Sequence, residues 1–209
     1  MALPLVEATN IRPGMRVLEI GAGSGQIATT LAKHWNVTVV TLEPWSDGTA
    51  IQAYAAQQGV GSSVLALRLK AQSMPFADNT FDAVISIGSF EMIGDERPVA
   101  LKEVMRVAKV GARIGIAEPM CRPLEMPEDL AALDAEFKLG FKECFRTLDW
   151  NRQLFTDAGL TIVAEQYFPN ARDLWMAYRA LGFIKPEEEE LILRDEDRWI
   201  SLGMMVGEK

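Results

Sequence analysis

The chain has 209 residues, 49% of them hydrophobic and 24% charged, with a formal net charge of -8. That length and composition suit a single domain, residues 1–209, able to bury its own core, and the negative balance argues against the clustered Lys and Arg of a nucleic-acid-binding face. No apolar run approaches the roughly 20 residues needed to cross a bilayer, and two cysteines with one histidine make neither a disulfide framework nor a metal-ligand set.

The opening Met1-Ala2-Leu3-Pro4-Leu5 lacks the basic-then-apolar order of a secretory signal, and with reduced cysteines the expected compartment is the cytoplasm. Leu3 to Ala8 reads as a brief helix or turn, and Arg12-Pro13-Gly14 as a turn feeding the first strand. Val17-Leu18-Glu19-Ile20 is a short apolar strand carrying an acid, and Gly21-Ala22-Gly23-Ser24-Gly25 a tight turn. Gln26 to Lys33 then has apolar residues at helical spacing. Strand, glycine turn and helix make the opening half of a βαβ unit. Glycines let the backbone approach a ligand closely, and the helix N-terminus offers free N–H groups and a positive dipole end. A cofactor is expected here. A dinucleotide fingerprint, G-x-G-x-x-G or G-x-G-x-x-A, fails because Gln26 occupies its third position.

Val37 to Leu42 reads as a second buried strand that runs into Glu43-Pro44-Trp45. An acid about 20 residues past a glycine loop is placed to accept hydrogen bonds from ribose hydroxyls, and a carboxylate can take two such donors. The alternative is an acid capping a helix near a strand end. Residues 48–59 read as a helix with Ile51, Tyr54 and Ala55 on one face, and Leu65 to Leu69 as the third strand. Asp82 to Ile87 is the fourth strand, with Ser86 to Glu91 forming its exit toward the carboxyl end of the sheet, where open α/β folds bind ligands. A helix is expected over 95–108 with Val99, Val104 and Val107 buried, then a turn at Lys109 to Ala112 and the fifth strand, Arg113 to Pro119. Residues 120–148 have helical spacing at Leu130, Leu133, Phe137 and Phe141 and read as a substrate lid or a structural helix pair, with 169–199 a further candidate for the lid. Asp149 to Leu160 reads as an N-capped helix closed by glycine, Thr161 to Phe168 as the sixth strand, 171–182 and 186–197 as helices, and Ile200 to Gly207 as the closing strand.

The run E-x-G-x-G-x-G at Glu19 to Gly25, with Glu43-Pro44-Trp45 and Ala71 to Asp82, resembles the class I S-adenosylmethionine (SAM) methyltransferases over roughly residues 10–119. The nearest branch is the one holding the ubiquinone/menaquinone methyltransferases and the cyclopropane-fatty-acid-synthase-like proteins. The resemblance implies a doubly wound Rossmann-like α/β sheet of seven strands, mostly parallel with an antiparallel last strand beside the fifth, and helices on both faces. It implies SAM as cofactor, S-adenosylhomocysteine as product, and cofactor contacts from Glu19, Gly21, Ala22, Gly23, Gly25, Glu43, Pro44, Ala71, Gln72 and Ser86. The sequence departs from the family at Lys70, where an acid normally meets the adenine amine, so the adenine is expected on the Ala71 backbone and the Gln72 amide. The N-terminal helix is short for this family, and cover for the cofactor must come from elsewhere.

In-line transfer to a small-molecule acceptor is the expected reaction; the absence of N-P-P-Y or D-P-P-Y after strand four speaks against amino methylation of a nucleic-acid base. Glu91 is the candidate general base, against the alternative of a surface or capping acid. Cys121 reads as a small buried residue, His34 as a helix-terminal surface residue, and Trp150, Trp175 and Tyr178 as core or lid packing able to wall a flat acceptor. Two competing functions stand: a non-catalytic SAM-binding or partner-binding module, and an NAD(P)-dependent oxidoreductase, which Gln26 disfavours.

Overall fold

The computed structural model describes residues 1–182 and 184–209. Its strands are β1 (Arg16–Ile20), β2 (Thr38–Leu42), β3 (Val64–Leu67), β4 (Phe81–Ile87), β5 (Ala108–Cys121), β6 (Thr161–Tyr167) and β7 (Ile200–Glu208). Its helices are α1 (Ala2–Ala8), α2 (Gln26–Trp35), α3 (Thr49–Gln57), α4 (Arg97–Val107), α5 (Glu128–Phe137), α6 (Phe141–Cys144), α7 (Leu148–Asp157), α8 (Ala171–Ala180) and α9 (Pro186–Asp195). The described residues form one seven-stranded sheet in the order β3-β2-β1-β4-β5-β7-β6. β1 to β5 pair in parallel, and β7 runs antiparallel between β5 and β6. The doubly wound sheet with an antiparallel last strand is therefore as expected.

Side-chain alternation along the strands divides the core between two faces. Leu18, Ile20, Val40, Leu42 and Val84 pack on one side with Leu101 and Val104 of α4 and Phe155 of α7. Val17, Val39, Ala83 and Ile85 pack on the other with Leu5 of α1, Leu31 of α2, Ala55 of α3 and Ala171 of α8. Strands covered on both faces need apolar residues at successive positions, which is why β1, β2 and β4 read as largely apolar runs, broken at Glu19, Thr41, Asp82 and Ser86. A third cluster, built on Leu130, Leu133, Phe145, Leu191 and Trp199, joins α5, α6 and α9 beyond the end of β5. Residue 183, within the 169–199 stretch expected to extend the lid, lies outside the described residues. Among the described residues no helix is long and apolar enough to cross a membrane.

Three local expectations are corrected. The helix expected over 95–108 divides: Glu91–Glu96 winds as a 3₁₀ turn with Gly94 at φ 66°, and α4 begins at Arg97 with Pro98 in its first turn. That start turns Ala100, Leu101, Val104 and Val107 inward and leaves Val99 at 54% exposure. Lys109 to Ala112 is not a separate turn but part of the long β5, bulged out of the ladder between the pairs Phe81–Ala108 and Ala83–Arg113. The cap of α7 is Thr147, whose hydroxyl accepts the Trp150 N–H at 3.1 Å, so Asp149 falls inside the first turn.

Phe155 is fully buried between α7 and the sheet. Phe155→Ala is expected to cost about 3–5 kcal/mol of stability, read as a lower urea midpoint at unchanged slope.

Candidate active site

The chain leaves β1 for β2 and β3 on one side and returns to β4 on the other, so the carboxyl ends of β1 and β4 flank the switch point of the sheet. The loop after β1 is fastened there by the Gly21 and Ala22 N–H groups, both donating to the Leu42 carbonyl at 2.9 Å. Gly21, Gly23 and Gly25 have φ of +81, +50 and +80°, the left-handed region that glycine enters without strain. A Cβ at Gly21 would stand 2.2 Å from Ser89 Cβ, and one at Gly25 2.6 Å from Ile51 Cγ2, but one at Gly23 would meet nothing within 4 Å. The loop is packed at both ends and open in its middle: a cradle.

Glu43, only 9% exposed, closes the cradle. Its Oε2 accepts the Gly23 N–H at 3.0 Å and its Oε1 the Trp45 N–H at 3.2 Å. Each oxygen keeps a further lone pair for a hydroxyl donor. Beneath the loop lies Glu19, which faces Thr41 in the β1–β2 register and accepts its hydroxyl at 2.5 Å. Burial pushes the Glu19 carboxyl up to about 8, with the Thr41 hydrogen bond opposing and the charge of Glu43 adding to the rise. Ser86 is also buried, donating its hydroxyl to the Ile20 carbonyl at 2.9 Å. Glu19, Ala22 and Ser86 thus support the loop from behind, and the residue of the β4 exit that reaches the cleft wall is Ser89.

The cleft over the cradle holds about 330 Å³ and brings together Gly21, Gly23, Glu43, Pro44, Ala71 and Gln72. Trp45, 87% exposed, stands at its rim. Lys70 lines it too, and so does a residue that sequence reasoning missed, Glu96, whose Oε2 accepts the Gln72 amide N–H at 2.8 Å. Sequence spacing carried no signal for Glu96, because the 3₁₀ turn alone brings it to this wall.

A second cavity, of about 360 Å³, lies beside the cleft, and Met92 lines both. Its walls are largely apolar: Ile87, Phe141, Phe145, Trp175 and Ile192 among them, with Glu91, Tyr178 and Lys185 contributing polar atoms. Glu91 is 4% exposed and no surface acid. Burial pushes its carboxyl up to about 7. Behind it stand Glu118 at the end of β5 and Arg97 at the start of α4, both buried. Burial first, and the charge of Glu91 second, hold Glu118 well above the ordinary carboxylate range. Arg97 donates from Nε to the Gly94 carbonyl at 2.9 Å, and its guanidinium carbon lies 4.4 Å from the Trp150 ring centre, a cation–π contact. Glu118 did carry a sequence signal, an acid near the end of an apolar strand, the same pattern that singled out Glu19 and Glu43.

Cys121 is buried with its thiol toward the Phe145 carbonyl at 3.7 Å, and burial raises its pKa, which disfavours the thiolate. His34 is exposed in the last turn of α2.

Comparison with known proteins agrees with this geometry. A family profile described as a methyltransferase domain matches residues 18–116. An uncharacterized protein of Mycobacterium tuberculosis is 40% identical over 119 residues, covering 56% of this chain and 42% of that protein. The ubiquinone/menaquinone biosynthesis C-methyltransferase of Burkholderia multivorans is 34% identical over 134 residues, covering 60% of this chain and 52% of the enzyme. The chain thus spans about half or less of the length of these curated relatives. A solved geranyl diphosphate methyltransferase in complex with SAM superposes with a TM-score of 0.82 at 16% identity, over 99% of this chain and 83% of that one. The fold is that of the class I SAM-dependent methyltransferases, and residues 18–116 match their methyltransferase domain. SAM is the cofactor of this domain, and the open cradle and the spare lone pairs of Glu43 fit it.

Glu19 binds its proton more tightly in the folded chain than in the unfolded one, so its contribution to stability is complete below its ordinary value of 4.5 and lost as pH rises through about 8. The cofactor-free protein is expected to lose stability between about pH 5 and about pH 9, with Glu19 accounting for up to about 5 kcal/mol. Glu19→Gln should flatten that curve, as urea unfolding at each pH will read.

Proposed function

We propose that the protein transfers a methyl group from SAM to a small, largely apolar acceptor bearing a dissociable proton, bound in the second cavity. The observation that carries this reading is the shared wall at Met92: the cofactor cleft and an apolar cavity meet at the 3₁₀ turn where Glu91 is buried. When bound, SAM supplies an electrophilic methyl, and its C–S bond breaks with the electron pair kept on the sulfur of S-adenosylhomocysteine. The remaining work belongs to side chains and backbone of this chain.

In this reading the backbone from Gly21 to Gly25 holds the amino-acid half of the cofactor, with Glu19, Ala22 and Ser86 keeping the loop in shape from behind. Glu43 takes the ribose hydroxyls on its free lone pairs, beside Pro44. Ala71 and Gln72 receive the adenine, and Glu96 offers the carboxylate that Lys70 does not. Phe141, Phe145 and Trp175 orient a flat or hydrocarbon acceptor and keep water from it; such positioning and exclusion supply most of the acceleration asked of a methyl transfer. The stretch 120–148 acts as lid, seated with α9 over the carboxyl end of β5. Glu91 accepts the proton of the acceptor, and a base titrating near 7 suits that task at neutral pH.

The proposal extends to the acceptor class only. The C-methyltransferase relative from Burkholderia acts in quinone biosynthesis, as its name states, and an apolar acceptor here is in keeping with it. A SAM-binding module without catalysis is the reading that remains if the purified protein binds SAM and methylates nothing in a broad metabolite extract.

Glu43→Ala is expected to weaken SAM binding tenfold or more, since a charge-assisted hydrogen bond is worth roughly 1.5–3 kcal/mol; calorimetry with SAM reads this directly, and unchanged affinity removes Glu43 from the ribose. Glu91→Gln should leave that affinity within about twofold while lowering kcat by on the order of 10²-fold or more. In the unaltered enzyme kcat/KM should rise with pH through about 7, as Glu91 becomes the carboxylate.

A further inference from the structure

We propose that Glu91 and Glu118 share one proton as a buried carboxyl–carboxylate pair, with Arg97 as its fixed counter-charge, making Glu118 the positioning residue that sets Glu91 as proton acceptor. Its consequence for turnover rests on the methyl-transfer reading above, but the pair itself is measured without turnover.

Three elements converge on the pair: the 3₁₀ turn brings Glu91, β5 brings Glu118 and α4 brings Arg97, all buried. Among the described residues, both carboxyl oxygens of Glu118, Oε2 of Glu91 and both Nη atoms of Arg97 have no hydrogen-bond partner. Buried polar atoms are seldom left so. The two carboxyl groups nonetheless interact with each other directly. As two carboxylates they would be mutually repelling acceptors with only the Glu91 backbone N–H close by; one proton between them makes one a donor and the other an acceptor and leaves a single negative charge.

Arg97 balances that charge. It is held in place by the Gly94 carbonyl and the Trp150 ring rather than by either acid, so it acts as a fixed cation and leaves the carboxyl oxygens free. The other groups acting on this cluster are Cys144 of α6, Arg146, whose guanidinium lies 5.6 Å from the Trp150 ring centre, and Tyr178 of α8. Arg146 reaches toward Asp95, and the Cys144 thiol, kept protonated by burial, is at most a weak donor.

The proton balance follows. The acceptor arrives neutral; its X–H bond breaks, the electron pair stays on X, and the proton goes to the unprotonated oxygen of Glu91. The pair then holds two protons and no charge, and gives one up to solvent after product leaves. The geometry therefore selects acceptors that lose a proton, such as hydroxyl or acidic C–H compounds, over those that end as permanent cations.

The test is a ¹³C NMR titration of side-chain carboxyl groups in the full chain, for the unaltered protein, Glu118→Gln and Glu91→Gln. The pair should titrate in two separated steps. In Glu118→Gln one neutral donor replaces another, so Glu91 should titrate in a single step close to the lower step of the pair, with the acidic limb of kcat/KM following it. In Glu91→Gln the upper step loses its cause, the charge of Glu91, and Glu118 should titrate at least one pH unit lower. Thermal unfolding of each variant checks folding, and a folded Glu91→Gln in which Glu118 titrates as it did in the unaltered protein overturns the pair. If the pair is found and no acceptor is methylated, the methyl-transfer reading falls and the pair stands; if Glu91→Gln abolishes methylation while the titrations stay independent, the reverse holds.

Discussion

The hydrogen bond from the Gly23 amide to the Glu43 carboxylate is the contact on which the site depends. It joins the loop after β1 to the end of β2, two segments that parallel pairing has already brought side by side. The Gly21 and Ala22 amides reinforce the junction by donating to Leu42. A charged acceptor makes such a bond stronger than a neutral one, and Glu43 has lone pairs left over for a ligand. Loop shape and, in the proposed reading, ligand contact are thus set by one carboxylate. The glycines are required for the same reason, since side chains at Gly21 and Gly25 would collide with Ser89 and Ile51.

Acids near the carboxyl ends of three strands divide the labour by environment. Glu19 is sealed beneath the loop and holds its proton; Glu43 is bonded by two amides and stays available as an acceptor; Glu118 is buried opposite a second acid. The same side chain near equivalent strand ends therefore meets three different environments, set by which donors surround it. The sheet order makes this possible by gathering the ends of β1, β2, β4 and β5 on one edge.

Much of the architecture was legible because periodicity is local. Apolar runs marked β1, β2 and β4, and the turn Gly21 to Gly25 marked the βα junction, each within a few residues. The departures came where partners distant in sequence decide. Val99 was misjudged because Gly94 and Pro98 reset the start of α4 and so the face that its side chains present. Glu96 was invisible because its role depends on meeting Gln72 across the cleft, 24 residues away in the chain. Arg97 was invisible for a like reason: a buried guanidinium looks, in sequence, like any charge at the start of a helix. Glu91 could be named from its position after β4, but not its burial or its neighbour on β5.

Met92, 72% exposed, stands at the rim where the cofactor cleft and the second cavity meet. An unbranched side chain with three rotatable bonds and a soft, polarizable sulfur adapts its shape at little energetic cost. If the second cavity takes the acceptor, the boundary it shares with the cofactor cleft is set at this point by a rotamer rather than by the backbone of the sheet, and a thicker or thinner guest could be accommodated without moving a strand.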